Sequence, residues 1–283
     1  MLKTKQKIAI ANLAQTAVMG VRRLLGKGPN TKVSRSNVEW DLDLREGIDF
    51  SIWLLGSFEP GTVRCYKKIV KAGDVVLDIG ANIGAHTLLL AQAVGTQGKV
   101  IAFEPTDYAY AKLSKNCLLN PDLAERIHCL QVMLVDSEIA GKPTPGLYSS
   151  WPLREEIGLH DLHQGRLMTT TGAEARMLDS VILSLKLDRV DFIKLDIDGF
   201  ECGMMRGAGE VLSKWKPTII MELSPYVLEE QGSSLDELID LLRKHTYALC
   251  DLSGKKEISM DSTQLHKMIP KGAGMNVLAI ANR

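Results

Sequence analysis

No two of the five cysteines (Cys65, Cys117, Cys129, Cys202 and Cys250) lie close enough to form a CxxC pair, and their number is odd. This argues against a disulfide framework and against a cysteine zinc site, and it fits a reducing compartment such as the cytoplasm. No apolar run reaches the roughly 18 residues of a spanning helix. Residues 8–21 follow three lysines, but Asn12, Gln15 and Thr16 interrupt them. Arg22-Arg23 then stands where a signal peptide would carry a small-residue cleavage site. The formal net charge is zero, so no overall field points to nucleic acid. No basic stripe accompanies Trp53, Trp151 or Trp215, which read as core or rim packing and not as stacking platforms. Internal repeats and low-complexity tracts are absent. The most local absence is of acids. None precedes Glu39, whereas Lys3, Lys5, Lys7, Arg22, Arg23, Lys27, Lys32 and Arg35 all do.

Against these absences, a hydrophobic content of 45% supports a sizeable core. Residues 3–25 read as one helix, because Ile10, Leu13, Ala14, Ala17, Val21, Leu24 and Leu25 recur at helical spacing before "GKGPN" ends it. Two readings of this basic amphipathic segment (1–30) stay open: packing on its own body or a second subunit, or peripheral contact with an anionic membrane. Residues 31–72 read as a strand-rich leading segment, on the alternation in "VEWDLDL" and the stretch "DFSIWLLGSFEPG". From 73 to 283 strands alternate with helices. The strand candidates are 75–79, 100–103, 127–132, 190–196, 217–222, 247–251 and 276–281, and the helix candidates are 84–94, 106–119, 199–213 and 233–244. Short apolar strands separated by helices predict an α/β fold, a seven-stranded and mainly parallel sheet covered on both faces. The interval at about 137–189 breaks the rhythm and reads as an inserted hairpin or lid near the ligand site.

The chemistry starts at "VVLDIGANIGAHTLLLAQ", residues 75–92. Strand, glycine turn and helix in that order describe a nucleotide site. A dinucleotide fingerprint needs G-x-G-x-x-G so that amides can approach a pyrophosphate. Here the pattern is Asp78-x-Gly80-x-x-x-Gly84, without the middle glycine and with an acid that would repel phosphate. An ammonium group suits that acid better. The next strand ends in Glu104, a carboxylate placed to accept both hydroxyls of a ribose. Sugar hydroxyls, an ammonium group and no pyrophosphate together describe S-adenosylmethionine. The competing readings are a nicotinamide-dependent oxidoreductase and a binding protein without turnover.

Methyl transfer to a hydroxyl needs an in-line approach and somewhere for the proton to go. In "KLDIDGFE", Asp196 and Asp198 alternate on a strand and so share a face with Lys194. Such a group binds a divalent metal, provides a base, or forms an ion pair. Asp196, Asp198 and Lys194 are the catalytic candidates, and Glu222 ends the next strand. His160 and His163, with Asp161, are candidates for a lid-borne base, while His86 reads as a first-turn helix residue.

With these residues in hand, residues 40–281 resemble the FkbM-type methyltransferases, a branch of the class I S-adenosylmethionine-dependent enzymes. Gly56, Phe58 and Glu59 resemble the family's G-x-aromatic-E motif. The turn at 75–87, the helix with Glu104, Leu113, Asn116 and Asn120, "MLDSV", "VDFIKLDIDGFE" and "KPTIIMEL" follow in the family's order. The resemblance implies a Rossmann-like class I fold, with cofactor contacts at Asp78, Gly80, Asn82, Gly84 and Glu104 and an adenine contact near Asp136. It also implies a hydroxylated small-molecule acceptor such as a sugar, glycolipid or secondary metabolite. Asp198 stands where the family carries Glu, and Met177 where it carries Thr. Both departures fall on the acceptor side.

Overall fold

In the computed structural model the described residues are 3–138, 144–153, 157–162 and 164–282. The chain opens with α1 (Thr4–Leu24), a hairpin of β1 (Asn30–Arg35) and β2 (Val38–Asp43), and helices α2 (Gly47–Leu55) and α3 (Pro60–Ile69). The alternating part begins with β3 (Val75–Ile79), α4 (Thr87–Ala93), β4 (Lys99–Phe103), α5 (Asp107–Leu118), the single turn α6 (Pro121–Ala124) and β5 (Ile127–Leu130). Four short strands follow: β6 (Val132–Leu134), β7 (Leu147–Ser150), β8 (Arg166–Met168) and β9 (Glu174–Arg176). The chain then runs through α7 (Leu178–Ser184), β10 (Phe192–Leu195), α8 (Glu201–Arg206), α9 (Gly209–Lys214), β11 (Thr218–Leu223), α10 (Pro225–Glu230) and α11 (Leu235–Lys244). It closes with β12 (Tyr247–Cys250), β13 (Glu257–Ile258), α12 (Ser262–Met268) and β14 (Met275–Ala281).

The main sheet runs β13-β12-β14-β11-β10-β3-β4-β5. Strands β11, β10, β3, β4 and β5 are mutually parallel, and β14 lies antiparallel between β11 and β12. The expected seven strands are there, and the two-residue β13 extends the edge to eight. Alternate residues of the buried strands feed two apolar layers. Leu77, Ile79, Ile193 and Leu195 face one, and Val76, Val100, Phe192 and Ile220 face the other. From β3 the chain builds outward through β4 to β5, then returns to place β10 on the other side of β3. That reversal leaves a crevice at the carboxyl ends of β3 and β10.

Several boundaries differ from the sequence expectation, each for a local reason. The leading segment 31–72 holds one hairpin but is otherwise helical, since "GIDFSIWLL" forms α2 with Ile48, Phe50 and Ile52 buried. The predicted strand 127–132 divides: β5 stays in the main sheet, while β6 leaves it to pair in parallel with β9. Helix 199–213 breaks near Gly207, where a Cβ would stand 2.2 Å from the Val135 carbonyl oxygen. The interval 137–189 contains the antiparallel β7–β8 pair, then β9 and α7. Ser234 caps α11 by accepting from the Glu237 amide (3.1 Å).

Candidate active site

The turn after β3 is built by sterics. Gly80 has φ +81°, and a Cβ there would fall 1.8 Å from the Asp196 carbonyl oxygen, so only glycine fits. Gly84 (φ +90°) brings the turn against Leu113 of α5. Every amide from 80 to 84 is already used inside the protein. Gly80 and Ala81 donate to the Phe103 carbonyl (3.0 and 2.9 Å), Asn82 to Glu104 Oε2 (2.9 Å), Ile83 to Asn82 Oδ1 (2.9 Å) and Gly84 to the Ala81 carbonyl (2.9 Å). None of these five amides is left to cradle a pyrophosphate, which is what a dinucleotide would need.

Glu104 stands at the tip of β4, only 3% exposed, and faces a cavity of about 700 Å³. Its Oε1 accepts from the Thr106 amide (2.9 Å) and hydroxyl (2.5 Å). Thr106 was expected to open α5; its side chain is spent on Glu104 instead of capping the helix. Burial pushes the Glu104 pKa up, and these donors work against that shift. Oε1 thus takes two donors and Oε2 takes one, from the Asn82 amide, so the open acceptor site of the carboxylate is on Oε2. Beside it, Val132, Met133 and Leu134 supply an apolar wall.

Asp78 has a different place from the one its position suggests. It is fully buried, accepts from the Thr87 hydroxyl (2.6 Å) and lies 3.9 Å from Lys194 Nζ. The strand register sets Lys194 opposite Asp78. The ammonium that answers this acid is therefore the protein's own, and Asp78 is absent from the cavity lining. Lys194 also donates to the Gly80 carbonyl (3.1 Å) and faces Asp196 Oδ2 (3.4 Å). Burial works against its charge, but Asp196, Asp78 and Glu59 together hold its pKa above the ordinary value.

Asp196 and Asp198 do not alternate on a strand, because β10 ends at Leu195. The chain turns through Asp198 (φ +49°) and Gly199 (φ +100°), and the Ile197 and Gly199 amides donate to Glu201 Oε1 (3.3 and 3.4 Å). Both aspartates still line the cavity, joined by Glu222 from β11 and by Glu59. Glu59 precedes α3 and accepts from Asn276 Nδ2 (2.9 Å) and the Thr62 hydroxyl (3.1 Å). Burial raises the pKa values of Asp198, Glu59 and Glu222, and neighbouring acids add to the shift. These acid side chains outnumber Lys194 and Lys7, so a cation placed at this end of the cavity would favour their ionised forms. Among the described residues no group of three or more His, Cys, Asp or Glu side chains is arranged to hold a metal ion.

Sequence reasoning gave no cavity role to His86. It is buried between Phe58 and Tyr66, lines the cavity, and lies 3.9 Å from Glu59 Oε2. Burial holds its pKa well below the ordinary value, so the ring is neutral. His160 also reaches the cavity, 3.1 Å from the Glu230 carboxylate and edge-on to Tyr148. His163 lies outside the described residues. Asp136 is not brought to the cavity: it is exposed and paired with Arg206 (3.0 Å). Two further features are contributed from outside the sheet. Asn82 Nδ2 donates to the Ser149 carbonyl (2.9 Å), tying β7 to the glycine turn, and Thr4, Lys7, Ile8 and Ala11 of α1 close part of the cavity wall.

A family model for the methyltransferase FkbM domain matches residues 78–249. Methyltransferase sdnD of Sordaria araneosa is 27% identical over 60% of this chain and 78% of its own length. The 2-O-methyltransferase NoeI of Sinorhizobium fredii is 27% identical over 70% of this chain and 88% of its own. A solved FkbM methyltransferase from Methylobacillus flagellatus is 20% identical, covering 74% of this chain and 43% of its own, with a TM-score of 0.44. The chain belongs to the FkbM methyltransferase family, and is an S-adenosylmethionine-dependent methyltransferase.

Proposed function

We propose that the protein transfers a methyl group from S-adenosylmethionine to a hydroxyl oxygen of a small acceptor such as a sugar, glycolipid or secondary metabolite. The observation that carries the cofactor site is the glycine turn, whose amides are spent on the fold while Glu104 faces the cavity. Bound S-adenosylmethionine supplies a methyl group on a positively charged sulfur, which leaves as a neutral thioether. In this reading Glu104 accepts a ribose hydroxyl on Oε2 and the wall at 132–134 takes the adenine. The expected contact set of Asp78, Gly80, Asn82, Gly84, Glu104 and Asp136 narrows to Gly80, Asn82 and Glu104. Asp78 and Gly84 act from behind, by holding Lys194 and α5. Glu59 and Asp196 take over the ammonium contact. Asp198 is the base: in its ionised form, whose affinity for a proton burial raises, it takes the acceptor proton as the oxygen–methyl bond forms and the sulfur–methyl bond breaks. Lys194 orients Asp196 and does not touch the proton. A hydroxyl acceptor is in keeping with the relative named as a 2-O-methyltransferase. A peripheral lipid contact through residues 3–25 fits the same reading, because α1 walls the cavity.

Calorimetry with two ligands tests the assignment. S-adenosylhomocysteine and 5′-methylthioadenosine share adenine, ribose and thioether, but only the first carries an amino-acid end. Glu104→Gln is expected to weaken both by about 10- to 100-fold, the worth of a charge-assisted hydrogen bond. Glu59→Gln is expected to weaken only the first. Failure of the wild-type protein to bind S-adenosylhomocysteine would end the proposal, and equal losses in both variants would misplace the ammonium contact.

A further inference from the structure

Helix α1 has two apolar faces and only one of them is used. The inner face packs Ile8, Ala11, Ala14, Val18 and Met19 on the body. It is tied down by Gln15, which donates to the Leu44 carbonyl (3.2 Å), and by the Thr4 amide, which donates to the Gly272 carbonyl (2.9 Å). The outer face carries Ile10, Leu13, Ala17, Val21 and Leu24, spaced to form one stripe along the helix. Leu13 is 77% exposed and Leu24 89%. At 1.5 Å per residue the stripe is about 20 Å long. Leu54 and Leu55, exposed on α2, belong to the helix that packs beside α1. An apolar stripe of this extent with no described contact calls for a partner.

The charge around it selects the partner. Lys3 and Lys5 stand at one end of α1 and Arg22 and Arg23 at the other, with no acid before Glu39. A second copy of the chain is disfavoured as the occupant. A two-fold contact uses the same patch twice, and with both helix ends basic every alignment sets like charges together. Nor is α1 a spanning segment, since no described helix is long and apolar enough to cross a membrane. A basic helix whose inner face is packed on the body and whose outer face exposes an apolar stripe matches the interface of an anionic bilayer, where leucine and isoleucine enter the acyl boundary while lysine and arginine meet the headgroups.

We infer that α1 docks the enzyme on an anionic lipid surface through Ile10, Leu13, Val21 and Leu24. The opposite face of the same helix lines the cavity through Thr4, Lys7, Ile8 and Ala11. A docked α1 thus holds the cavity about one helix diameter, roughly 10 Å, from the lipid. This deepens the proposed function by naming a partner, and it rests on that reading only for the identity of the cavity, not for the docking itself.

Co-sedimentation with vesicles tests the docking apart from catalysis. The probes are phosphatidylcholine vesicles with and without phosphatidylglycerol. The protein is expected to pellet with the anionic vesicles, less so with the neutral ones, and less again as salt is raised. Leu13→Glu combined with Leu24→Glu is expected to cut that binding at least about tenfold while S-adenosylhomocysteine binding stays at the wild-type level. Lys3→Glu with Lys5→Glu and Arg23→Glu is expected to abolish the preference for anionic vesicles. The inference is overturned if the wild-type protein stays in the supernatant with both vesicles, or if the leucine variant pellets as the wild type does. It is equally overturned if light scattering shows a dimer that the leucine variant dissolves and neither form binds lipid. Loss of S-adenosylhomocysteine binding in the wild type would count against the proposed function and leave the docking result standing.

Discussion

Glu201 has a burial problem whose consequence is measurable. Its carboxyl sits inside the protein beneath the loop that carries Asp196 and Asp198, and burial pushes its pKa from 4.5 up to about 7. Below pH 4.5 folded and unfolded chains both hold the proton. Between that value and about 7 the unfolded chain releases it and the folded chain does not, so stability falls as pH rises through the window. The loss amounts to up to about 3 kcal/mol, from 1.36 kcal/mol per pKa unit. Glu201→Gln keeps the carbonyl acceptor for the Ile197 and Gly199 amides. Urea unfolding as a function of pH is therefore expected to show a flatter profile for the variant, with the gain confined to neutral and alkaline pH. Buried Asp49, raised to about 6, leaves part of the slope in place. At this scale the sequence disclosed groups defined by their neighbours in the chain. Glu104 was legible because a strand tip is a local feature, whereas Asp196 and Asp198 were expected to alternate on a strand that in fact ends at Leu195. The role of Asp78 was not legible, since its partner Lys194 comes from β10, more than a hundred positions away. Glu59 was named only within the G-x-aromatic-E motif and His86 only as a first-turn helix residue, because the two meet only when α3 and α4 pack together.

The hairpin at the front of the chain is held by a device that belongs to a helix. Asn120, just past the end of α5, accepts from the Glu39 amide and donates to the Glu39 carbonyl (both 2.8 Å), and Asn116 accepts from the Asp41 amide (3.0 Å). Two side-chain amides thereby pair with the backbone of β2 as a neighbouring strand would. Asn120→Ala is expected to lower the unfolding free energy by about 1–3 kcal/mol, because it removes two hydrogen bonds to the β2 backbone at a partly buried site. Hydrogen exchange should locate the lost protection at Glu39 and not in β3 or β4. Elements whose pattern suits one environment throughout were readable in advance: β3, β4, β11 and β14 lie within a residue of their expected spans. Elements shaped by contact with distant chain were not. Helix α2 is apolar on most sides and has no period by which to tell it from a strand. The departure of β6 from the main sheet needs β9 as its partner, and the break between α8 and α9 needs the Val135 carbonyl against Gly207.

At the scale of the whole molecule, the sheet reverses its order at β3 and the cavity opens where that reversal leaves strand ends uncovered. A ligand held there touches segments from both halves of the chain, from Glu59 to Glu222. It should therefore stabilise the fold as a unit: S-adenosylhomocysteine at a hundred times its Kd contributes about 2.7 kcal/mol, and a scanning calorimeter is expected to record a rise of several degrees in Tm. An unchanged Tm at saturation would mean the ligand binds elsewhere or not at all. The glycine turn bears on how such a ligand arrives. Its amides are anchored to β4 and to one another whether or not anything occupies the crevice. At the turn, recognition then resembles a key entering a finished lock: this part of the mould is set by the fold, and affinity is not eroded by the entropy of arranging it.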